Sequence, residues 1–214
     1  MKKVLYVGLN PPTPSKDQEL VHLPVIQIIP RDSQELCLKK SLENFSLYTH
    51  ILITSKNAAK ILADYLPLFG YDLSDWRAKK TISIGQMTSS YLRSLGIIPC
   101  ITAQEETSEG VIEELPSLSL DQDFIFWPHA AGSRPVIPNA LKARQLTFVE
   151  CVLYDTLPLY PDHKPSLQEF DEIIFTSPST VDAFLAIFES FPSHATLKSI
   201  GPITRSHLEK LNKN

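Results

Sequence analysis

Ile51-Leu52-Ile53-Thr54-Ser55 is the stretch that decides the fold, because the chain repeats its pattern as Ile173-Ile174-Phe175-Thr176-Ser177. Each copy is an apolar run that ends in Thr-Ser. Each is followed downstream by Ser-Ile-Gly-x-x-Thr, first at 83–88 and again at 199–204. Two copies of one strand–helix–strand–helix unit predict two similar α/β lobes, each of the flavodoxin or Rossmann type with a mainly parallel sheet.

Helical spacing follows each Thr-Ser pair. After Ser55, apolar residues recur on one helix face, and the same spacing recurs after Ser177. Apolar runs alternate with such patterns along most of the chain, as is typical of parallel α/β sheets. The other predicted strands are 3–8, 80–85, 97–102, 123–128 and 197–201. The other predicted helices are 88–95, 107–115, 135–145 and 204–211.

Two β-rich stretches, 25–31 and 147–157, lie outside the repeat, and each ends near a proline. We interpret them as paired crossover strands. The predicted division has three parts: a small, discontinuous lobe one at 1–24 and 158–214, crossover strands at 25–32 and 147–157, and an inserted lobe two at 33–146. Segments 10–24, with four prolines, and 158–166 are predicted loops. Two facing lobes would form a cleft.

Composition narrows the class of protein. The chain has 214 residues, of which 43% are hydrophobic and 21% charged, as in an ordinary soluble globule. Its apolar runs are shorter than the roughly 18 residues that span a membrane. The short apolar stretch after Met1-Lys2-Lys3 meets Asn10-Pro11 without a cleavage site, which predicts a cytoplasmic protein. The net charge of −4 argues against a broad nucleic-acid surface.

The repeated hydroxyls have two compatible interpretations. Ser55 and Ser177 are well placed to cap the following helices. They also lie at carboxyl ends of strands, where helix starts offer free N–H groups to anionic ligands. Gly85 and Gly201 would allow a tight turn or close approach to a ligand. Thr88 and Thr204 would lie in the first helical turns, near the cleft.

Three further side chains are candidates for the site. In 147–157 the alternation of residues places Tyr154 on one strand face, where it either packs at an interface or points its phenol into the cleft. His129 and Arg134 flank a small loop after a strand, so a ligand role and a purely solvated role are both open.

The sequence lacks the usual motifs of several cofactor, nucleophile and metal sites. Dinucleotide, P-loop, nucleophile-elbow and zinc-protease signatures are missing from the sequence. The three cysteines, Cys37, Cys100 and Cys151, have no zinc-like spacing and suggest no disulfide framework. The residues therefore support neither a metal site nor a dinucleotide site.

The ordered set of motifs resembles the uroporphyrinogen-III synthase family across nearly the whole chain. The motifs that carry the resemblance are Thr54-Ser55, Ser83-Ile84-Gly85-Gln86-Met87-Thr88, Thr107-Ser108-Glu109-Gly110, the loop at 127–134, Val152-Leu153-Tyr154-Asp155, Phe175-Thr176-Ser177-Pro178 and Ile200-Gly201-Pro202-Ile203-Thr204. The chain departs from the family pattern at Leu9-Asn10-Pro11, where many members have Thr-Arg-Pro, and at Ile203, where many have threonine.

The resemblance implies a monomeric, cofactor-free lyase of porphyrin, and hence heme, biosynthesis with its active site between two lobes. Its substrate would be the linear tetrapyrrole hydroxymethylbilane, handed over in a transient contact by hydroxymethylbilane synthase. The enzyme would remove water and invert ring D through a spiro intermediate, giving uroporphyrinogen III. By position, Tyr154 would assist the departing hydroxyl. The substrate-binding residues would be Ser55, Thr88, Ser177, Thr204, Gly85, Gly201, His129 and Arg134.

Other functions stay open at this point. A clamshell ligand-binding module would share the duplication, crossovers and cleft, although such modules usually carry an export signal. An inactive, degenerate member of the same family would keep the fold and lose the catalysis. A regulatory domain would need a clustered acidic site and a transferase an acidic metal motif, and neither is evident.

Overall fold

The computed structural model describes residues 1–115 and 122–213. The chain divides into two compact units. The first unit consists of Met1–Ile29 and Thr156–Asn214, and the second of Pro30–Asp155. The three-part division drawn from the sequence, with 25–32 and 147–157 as a separate crossover pair, stays a prediction.

Strands and helices alternate along most of the described chain. The described strands are β1 (Lys2–Tyr6), β2 (Gln18–His22), β3 (Ile26–Pro30), β4 (His50–Ile53), β5 (Lys80–Ser83), β6 (Ile101–Thr102), β7 (Phe124–Ala130), β8 (Thr147–Pro158), β9 (Glu172–Phe175) and β10 (Thr196–Ser199). The described helices are α1 (Leu36–Glu43), α2 (Lys56–Tyr65), α3 (Leu73–Arg77), α4 (Gln86–Ser94), α5 (Ser108–Glu114), α6 (Val136–Ala143), α7 (Pro178–Phe188) and α8 (Pro202–Leu211). Short 3-10 turns lie at Phe45–Leu47, Leu66–Phe69 and Leu167–Glu169. Within the described ranges, no helix is both long and apolar enough to cross a bilayer.

The first unit is built on a sheet of order β10-β9-β1-β2, whose neighbouring strands are all parallel. Leu5 of β1 is in register with Val21 on one side and Ile173 on the other. Helix α7 packs Val181 and Phe184 into the same buried core. The strand order reverses between β1 and β9, which makes the carboxyl ends of these two strands the expected place for a ligand in this unit.

The predicted loop at 10–24 is wrong in its second half, where β2 pairs along β1. The four prolines of this segment lie at 11, 12, 14 and 24, so the run Gln18–His22 keeps every backbone N–H. A parallel edge strand can therefore form between the prolines. The proline content of 10–24 as a whole is typical of a loop, although the part that forms β2 contains no proline.

The second unit contains the sheet order β8-β7-β4-β5-β6, again with parallel neighbours. One core cluster joins Leu52, Ile82 and Ile125 of the strands to Ile137 and Leu141 of α6. This strand order is that of a doubly wound sheet, with its switch point between β4 and β7.

The opposite face of this sheet has an aromatic cluster. The Tyr48 ring stacks on Phe126 with centroids 4.7 Å apart, and Phe45 meets Phe126 edge-on at 6.4 Å. All three rings are almost fully buried. Because the central strands are covered on both faces, they read as continuous apolar runs, as parallel strands usually do.

Several elements differ from their predicted bounds. Helices α1 and α3 were not predicted, and the strand expected at 97–102 is reduced to Ile101–Thr102. Strand β8 continues through Pro158. The predicted helix starts at 88 and 204 move upstream to Gln86 and Pro202, so Thr88 and Thr204 lie in the first helical turns as expected.

Candidate functional site

At the switch point of the second unit, a side-chain hydrogen bond joins the middle of β7 to the residue that follows β4. The indole Nε1 of Trp127, in β7, donates to the Oγ1 of Thr54 at 3.3 Å. Thr54 is the residue directly after β4. The Trp127 ring also stacks on His129, with centroids 4.0 Å apart. These contacts fix the floor of the crevice in which ligands of doubly wound sheets bind.

Ser55 stands immediately after this point and serves as the predicted cap of α2. Its Oγ accepts the N–H of Ala58 at 3.0 Å. The same oxygen lies 2.9 Å from the hydroxyl oxygen of Tyr154. One serine thus starts the helix and contacts the tyrosine that the family resemblance singled out.

Tyr154 reaches Ser55 because of an irregularity in β8. Val152 pairs with His129, but the next residue of β7, Ala130, pairs with Tyr154, so the register shifts by one. The N–H of Ala131 then donates to the Tyr154 carbonyl at 2.9 Å. Simple alternation, on which the sequence argument relied, does not include this bulge, which re-aims the side chain at the strand end.

The Tyr154 phenol is neutral at physiological pH. The side chain is 5% exposed, and burial raises its pKa, while hydrogen bonds with Ser55 and Asn57 oppose that rise. A phenol both donates and accepts one strong hydrogen bond. If the Ser55 hydroxyl donates to it, the phenol hydrogen is available to a ligand.

Helix α4 begins at Gly85, where the structure places a carboxylate of the protein itself. The N–H of Gln86 donates to Glu106 Oε1 at 2.7 Å. Gly85 has an extended φ of 173°, so a tight turn is not the reason for glycine here. A methyl group at Gly85 would lie 2.6 Å from Glu106 Oε1. Glycine is therefore required by the close approach of Glu106.

One predicted residue, Thr88, and one that was not predicted, Lys56, lie near this helix start. Thr88 is buried at 5% exposure in the first turn of α4. Lys56, the first residue of α2, places its ammonium 5.4 Å from the centre of the Tyr91 ring, which belongs to α4. Lys56 and Glu106 were missed by the sequence analysis, since a single exposed lysine or glutamate gives no periodic or motif signal.

His129 and Arg134 differ from their predicted setting. His129 lies within β7 and is buried, not in a loop, because the strand continues to Ala130. Arg134 makes a two-pronged salt bridge to Glu109, with N–O distances of 2.6 and 2.8 Å, and its guanidinium lowers the pKa of that carboxyl. Arg134 is thus already paired with a carboxylate near the start of α5.

The first unit repeats the Thr-Ser arrangement at its own strand ends. Ser177 caps α7, accepting the N–H of Thr180 at 3.3 Å, and Thr180 Oγ1 accepts the Ser177 N–H at 3.1 Å. The predicted capping role of both repeated serines is therefore confirmed. A methyl group at Gly8 would lie 2.7 Å from Thr176 Oγ1, so β1 and β9 approach closely at the switch point.

The second Ser-Ile-Gly-x-x-Thr copy is built differently from the first. Gly201 precedes α8 with an ordinary φ of −129°. Apart from its chain neighbours and the backbone of its own helix, no atom of the described residues lies within 4 Å of the position that a methyl group would take. Thr204 is buried at 4% exposure in the first turn. Among the predicted site residues, the structure joins Tyr154 directly to Ser55, while Ser177, Gly201 and Thr204 belong to the other unit.

Parallel, doubly wound sheets with helices between their strands place this chain in the α/β class of proteins. The sequence profile described as "Uroporphyrinogen-III synthase HemD" matches residues 15–214. The chain belongs to the uroporphyrinogen-III synthase family. It is 29% identical over 204 residues to the porphyrin biosynthesis protein HemD of Ruminiclostridium josui, covering 91% of this chain and 40% of that protein. The chain thus spans less than half of that relative's length.

Solved structures show the same fold. A mutant uroporphyrinogen III synthase from Thermus thermophilus superposes with a TM-score of 0.69 at 16% identity, covering 99% of this chain and 89% of that chain. The uroporphyrinogen-III synthetase of Helicobacter pylori gives 0.65 at 18% identity, covering 98% and 89%. At these identities, the two structures show that the fold is shared.

Proposed function

We propose that this chain catalyses the uroporphyrinogen-III synthase reaction, in which hydroxymethylbilane cyclises to uroporphyrinogen III with loss of water and inversion of ring D. The observation that carries this proposal is the buried, neutral phenol of Tyr154, hydrogen-bonded to Ser55 at the strand ends of a chain of this family. A neutral phenol at the carboxyl end of a strand is suited to donate a proton to a departing hydroxyl group.

The proposed first step is the departure of the ring A hydroxyl. The Tyr154 phenol gives its proton to the hydroxyl oxygen, the carbon–oxygen bond breaks and water leaves. The substituted carbon of ring D then attacks the electron-poor carbon and forms the spiro intermediate. This intermediate opens and recloses with ring D inverted, and the proton released in the last step restores the phenol. General acid catalysis of this kind contributes about 10²- to 10⁴-fold.

The substrate's carboxylates require binding groups spread over a long, flexible chain. In the second unit we assign this role to the starts of α2 and α4, with Ser55, Gly85 and Thr88, and to the Lys56 ammonium. Free N–H groups and positive partial charge at helix starts favour carboxylates. Holding the substrate bent brings ring D onto the reacting carbon, the kind of positioning that supplies much of an enzyme's rate.

In the first unit we assign substrate contacts to Ser177, Gly201 and Thr204. The open space beside Gly201 supports this assignment, because a ligand can approach the backbone there. Arg134 and His129 join the proposed set under different conditions. Arg134 must exchange Glu109 for a substrate carboxylate. The Nδ1–H of neutral His129 already donates to the Ala130 carbonyl, so its Nε2 can only accept a hydrogen bond, from a substrate N–H.

We place this activity in tetrapyrrole biosynthesis in the cytoplasm, carried out by a monomer without a metal or organic cofactor. The substrate would be received from hydroxymethylbilane synthase. Hydroxymethylbilane closes unaided to the uninverted type I isomer, so the isomer formed distinguishes enzymatic from spontaneous closure.

The test is an isomer assay on the purified chain. Hydroxymethylbilane is supplied, the products are oxidised, and the type I and type III isomers are separated by chromatography. We expect type III to predominate. Type I alone, from protein shown to be folded by circular dichroism, would contradict the proposal, and saturable binding without conversion would indicate a ligand-binding module instead.

A further inference from the structure

A cavity of about 340 Å³ lies within the second unit, beside β8 and the start of α1. Its wall includes Arg31, Glu35, Leu38, His129, Glu150 and Val152. A volume of this size is at the lower end of small-molecule sites. The proposed function assigns no reacting group to this cavity.

His129 gives the cavity a hydrogen-bonding group whose chemistry can be fixed. The residue is 8% exposed, and its Nδ1 lies 2.8 Å from the Ala130 carbonyl oxygen. A carbonyl oxygen only accepts, so Nδ1 carries the hydrogen and Nε2 is the bare acceptor of a neutral ring. Burial lowers the pKa of His129, which keeps the ring neutral. Within the described residues, Nε2 has no hydrogen-bond partner.

Glu150 faces the same nitrogen with a second acceptor. Its Oε2 lies 3.9 Å from His129 Nε2. Two acceptors cannot satisfy each other, and a buried acceptor left unpaired is costly. A group that carries at least two N–H or O–H hydrogens satisfies both. The Glu150 side chain is 45% exposed, so it can shift to admit such a group.

The charge of the lining selects among such groups. The Arg31 guanidinium is hydrogen-bonded to Asp155, with N–O distances of 2.9 and 3.2 Å, and its Nη1 lies 3.9 Å from Glu35 Oε2, so one cation faces three carboxylates in this region. Glu35 and Glu150 add two carboxylates to the wall, so the cavity favours a cation over the carboxylates of a tetrapyrrole. Leu38 and Val152 offer apolar surface beside them.

We propose that this cavity binds a small primary alkylammonium ion. Its three N–H hydrogens reach His129 Nε2 and the Glu150 carboxylate, and its alkyl chain packs on Leu38 and Val152. This goes beyond the proposed synthase activity and does not depend on it. His129 belongs to both proposals, but ammonium binding is measured without any tetrapyrrole.

The test is an NMR titration of the ¹⁵N-labelled full chain with n-butylammonium chloride at constant ionic strength. The His129 resonance is identified through its contacts with the Trp127 ring. We expect a saturable change in the Nε2 chemical shift. Tetramethylammonium chloride, which has the charge but no N–H, and sodium butyrate, which has the wrong charge, serve as controls and should leave the shift unchanged.

Two variants complete the test. Glu150→Gln should weaken butylammonium binding about tenfold or more, because it removes a charged acceptor. Glu113→Gln, the same change at a position of α5 outside the cavity wall, should not. His129→Phe keeps a ring on Trp127 but removes Nε2 and should abolish binding; if it fails to fold, Glu150→Gln decides. No saturable shift, an equal response to tetramethylammonium, or unchanged binding in Glu150→Gln would overturn the proposal.

Discussion

The hydroxyl oxygens of Tyr154 and Ser55 lie 2.9 Å apart, although 99 positions separate the two residues in the chain. Tyr154 belongs to β8, and Ser55 follows the end of β4. These two strands are not neighbours in the sheet, because β7 lies between them. Tyr154 therefore reaches past the end of β7. This contact joins the helix start, the switch point and the proposed proton donor into one arrangement.

Replacing Ser55 with alanine should affect both stability and rate. The change removes the cap of α2 and should lower the free energy of unfolding by about 1 kcal/mol, measured by urea titration. It should also slow type III formation, because the phenol loses its partner. Asp72→Ala removes the cap of α3, a residue outside the proposed site, and should cost about as much stability. A rate loss in Ser55→Ala no greater than in this control would show that the Tyr154 contact is irrelevant to catalysis.

Removing the charge of Glu106 should improve substrate binding. Its carboxylate accepts the N–H of Gln86, where we propose a substrate carboxylate binds. An anion at a helix start is worth about 0.3–1 kcal/mol, so Glu106→Gln should lower the apparent KM about 2- to 5-fold with kcat little changed. The neighbouring Glu105→Gln is the matched control and should leave KM unchanged. A higher KM in Glu106→Gln would mean that this carboxylate helps to form the site.

Alanine at either repeated glycine should raise KM, for different reasons. At Gly85 the added methyl displaces the flexible Glu106 side chain but takes up the space beside the Gln86 N–H, where we propose that a substrate carboxylate binds. Gly85→Ala should therefore raise KM, whereas Glu106→Gln lowers it. At Gly201 the methyl meets open space and φ is ordinary, so Gly201→Ala should change stability by less than about 0.5 kcal/mol. Its KM should nevertheless rise, since the methyl fills the proposed ligand approach. Steady-state kinetics and thermal melts of both variants measure these effects, and an unchanged KM in Gly201→Ala would remove that residue from the site.

Glu172 should make the fold sensitive to acid. Burial by itself raises its pKa, but hydrogen bonds from Lys198 and Lys2, at 2.8 and 2.6 Å, outweigh burial and leave the pKa below 4.5. A carboxyl whose pKa is lower in the folded state stabilises the fold above pH 4.5. That stabilisation is lost as pH falls through the lower value.

Urea titrations at several pH values test this account of Glu172. Glu172→Gln should lower the free energy of unfolding by about 1–3 kcal/mol at pH 7. It should also flatten the decline of stability below pH 4.5. Glu209→Gln, an exposed change in α8, should behave as the unchanged protein does. If the free energy of unfolding of Glu172→Gln falls with pH as steeply as that of the unchanged protein, other carboxyl groups cause the acid sensitivity.

The repeated motif predicted more of the fold than of the site. The apolar runs and Thr-Ser ends correctly indicated parallel strands followed by capped helices. A helix cap involves residues a few positions apart, and a buried parallel strand is a continuous apolar run, so both can be recognised in a short stretch of sequence. The strand β2 escaped prediction, since prolines on both sides of it gave the segment the composition of a loop. Bounds of short elements such as β6 depend on partners elsewhere in the chain.

Contacts over long sequence distances were beyond the sequence argument. The bulge that aims Tyr154 depends on the register of β7 against β8, and the glycine at 85 is explained by a glutamate 21 positions later that no motif marks. A cluster of hydroxyl groups is another long-range feature that was not predicted. Ser89 Oγ lies 2.8 Å from Thr102 Oγ1 and is also hydrogen-bonded to Ser83 Oγ. These groups satisfy one another inside the second unit.

The most direct measurement is the single-turnover rate of type III uroporphyrinogen formation by Tyr154→Phe. The variant keeps the buried ring and loses only the hydroxyl. Tyr160→Phe, at a residue 61% exposed, is its control. We expect a loss of about tenfold or more in Tyr154→Phe, with unchanged thermal stability within a few degrees, and no loss in Tyr160→Phe. Equal rates in the two variants would contradict the assignment of Tyr154 as the proton donor.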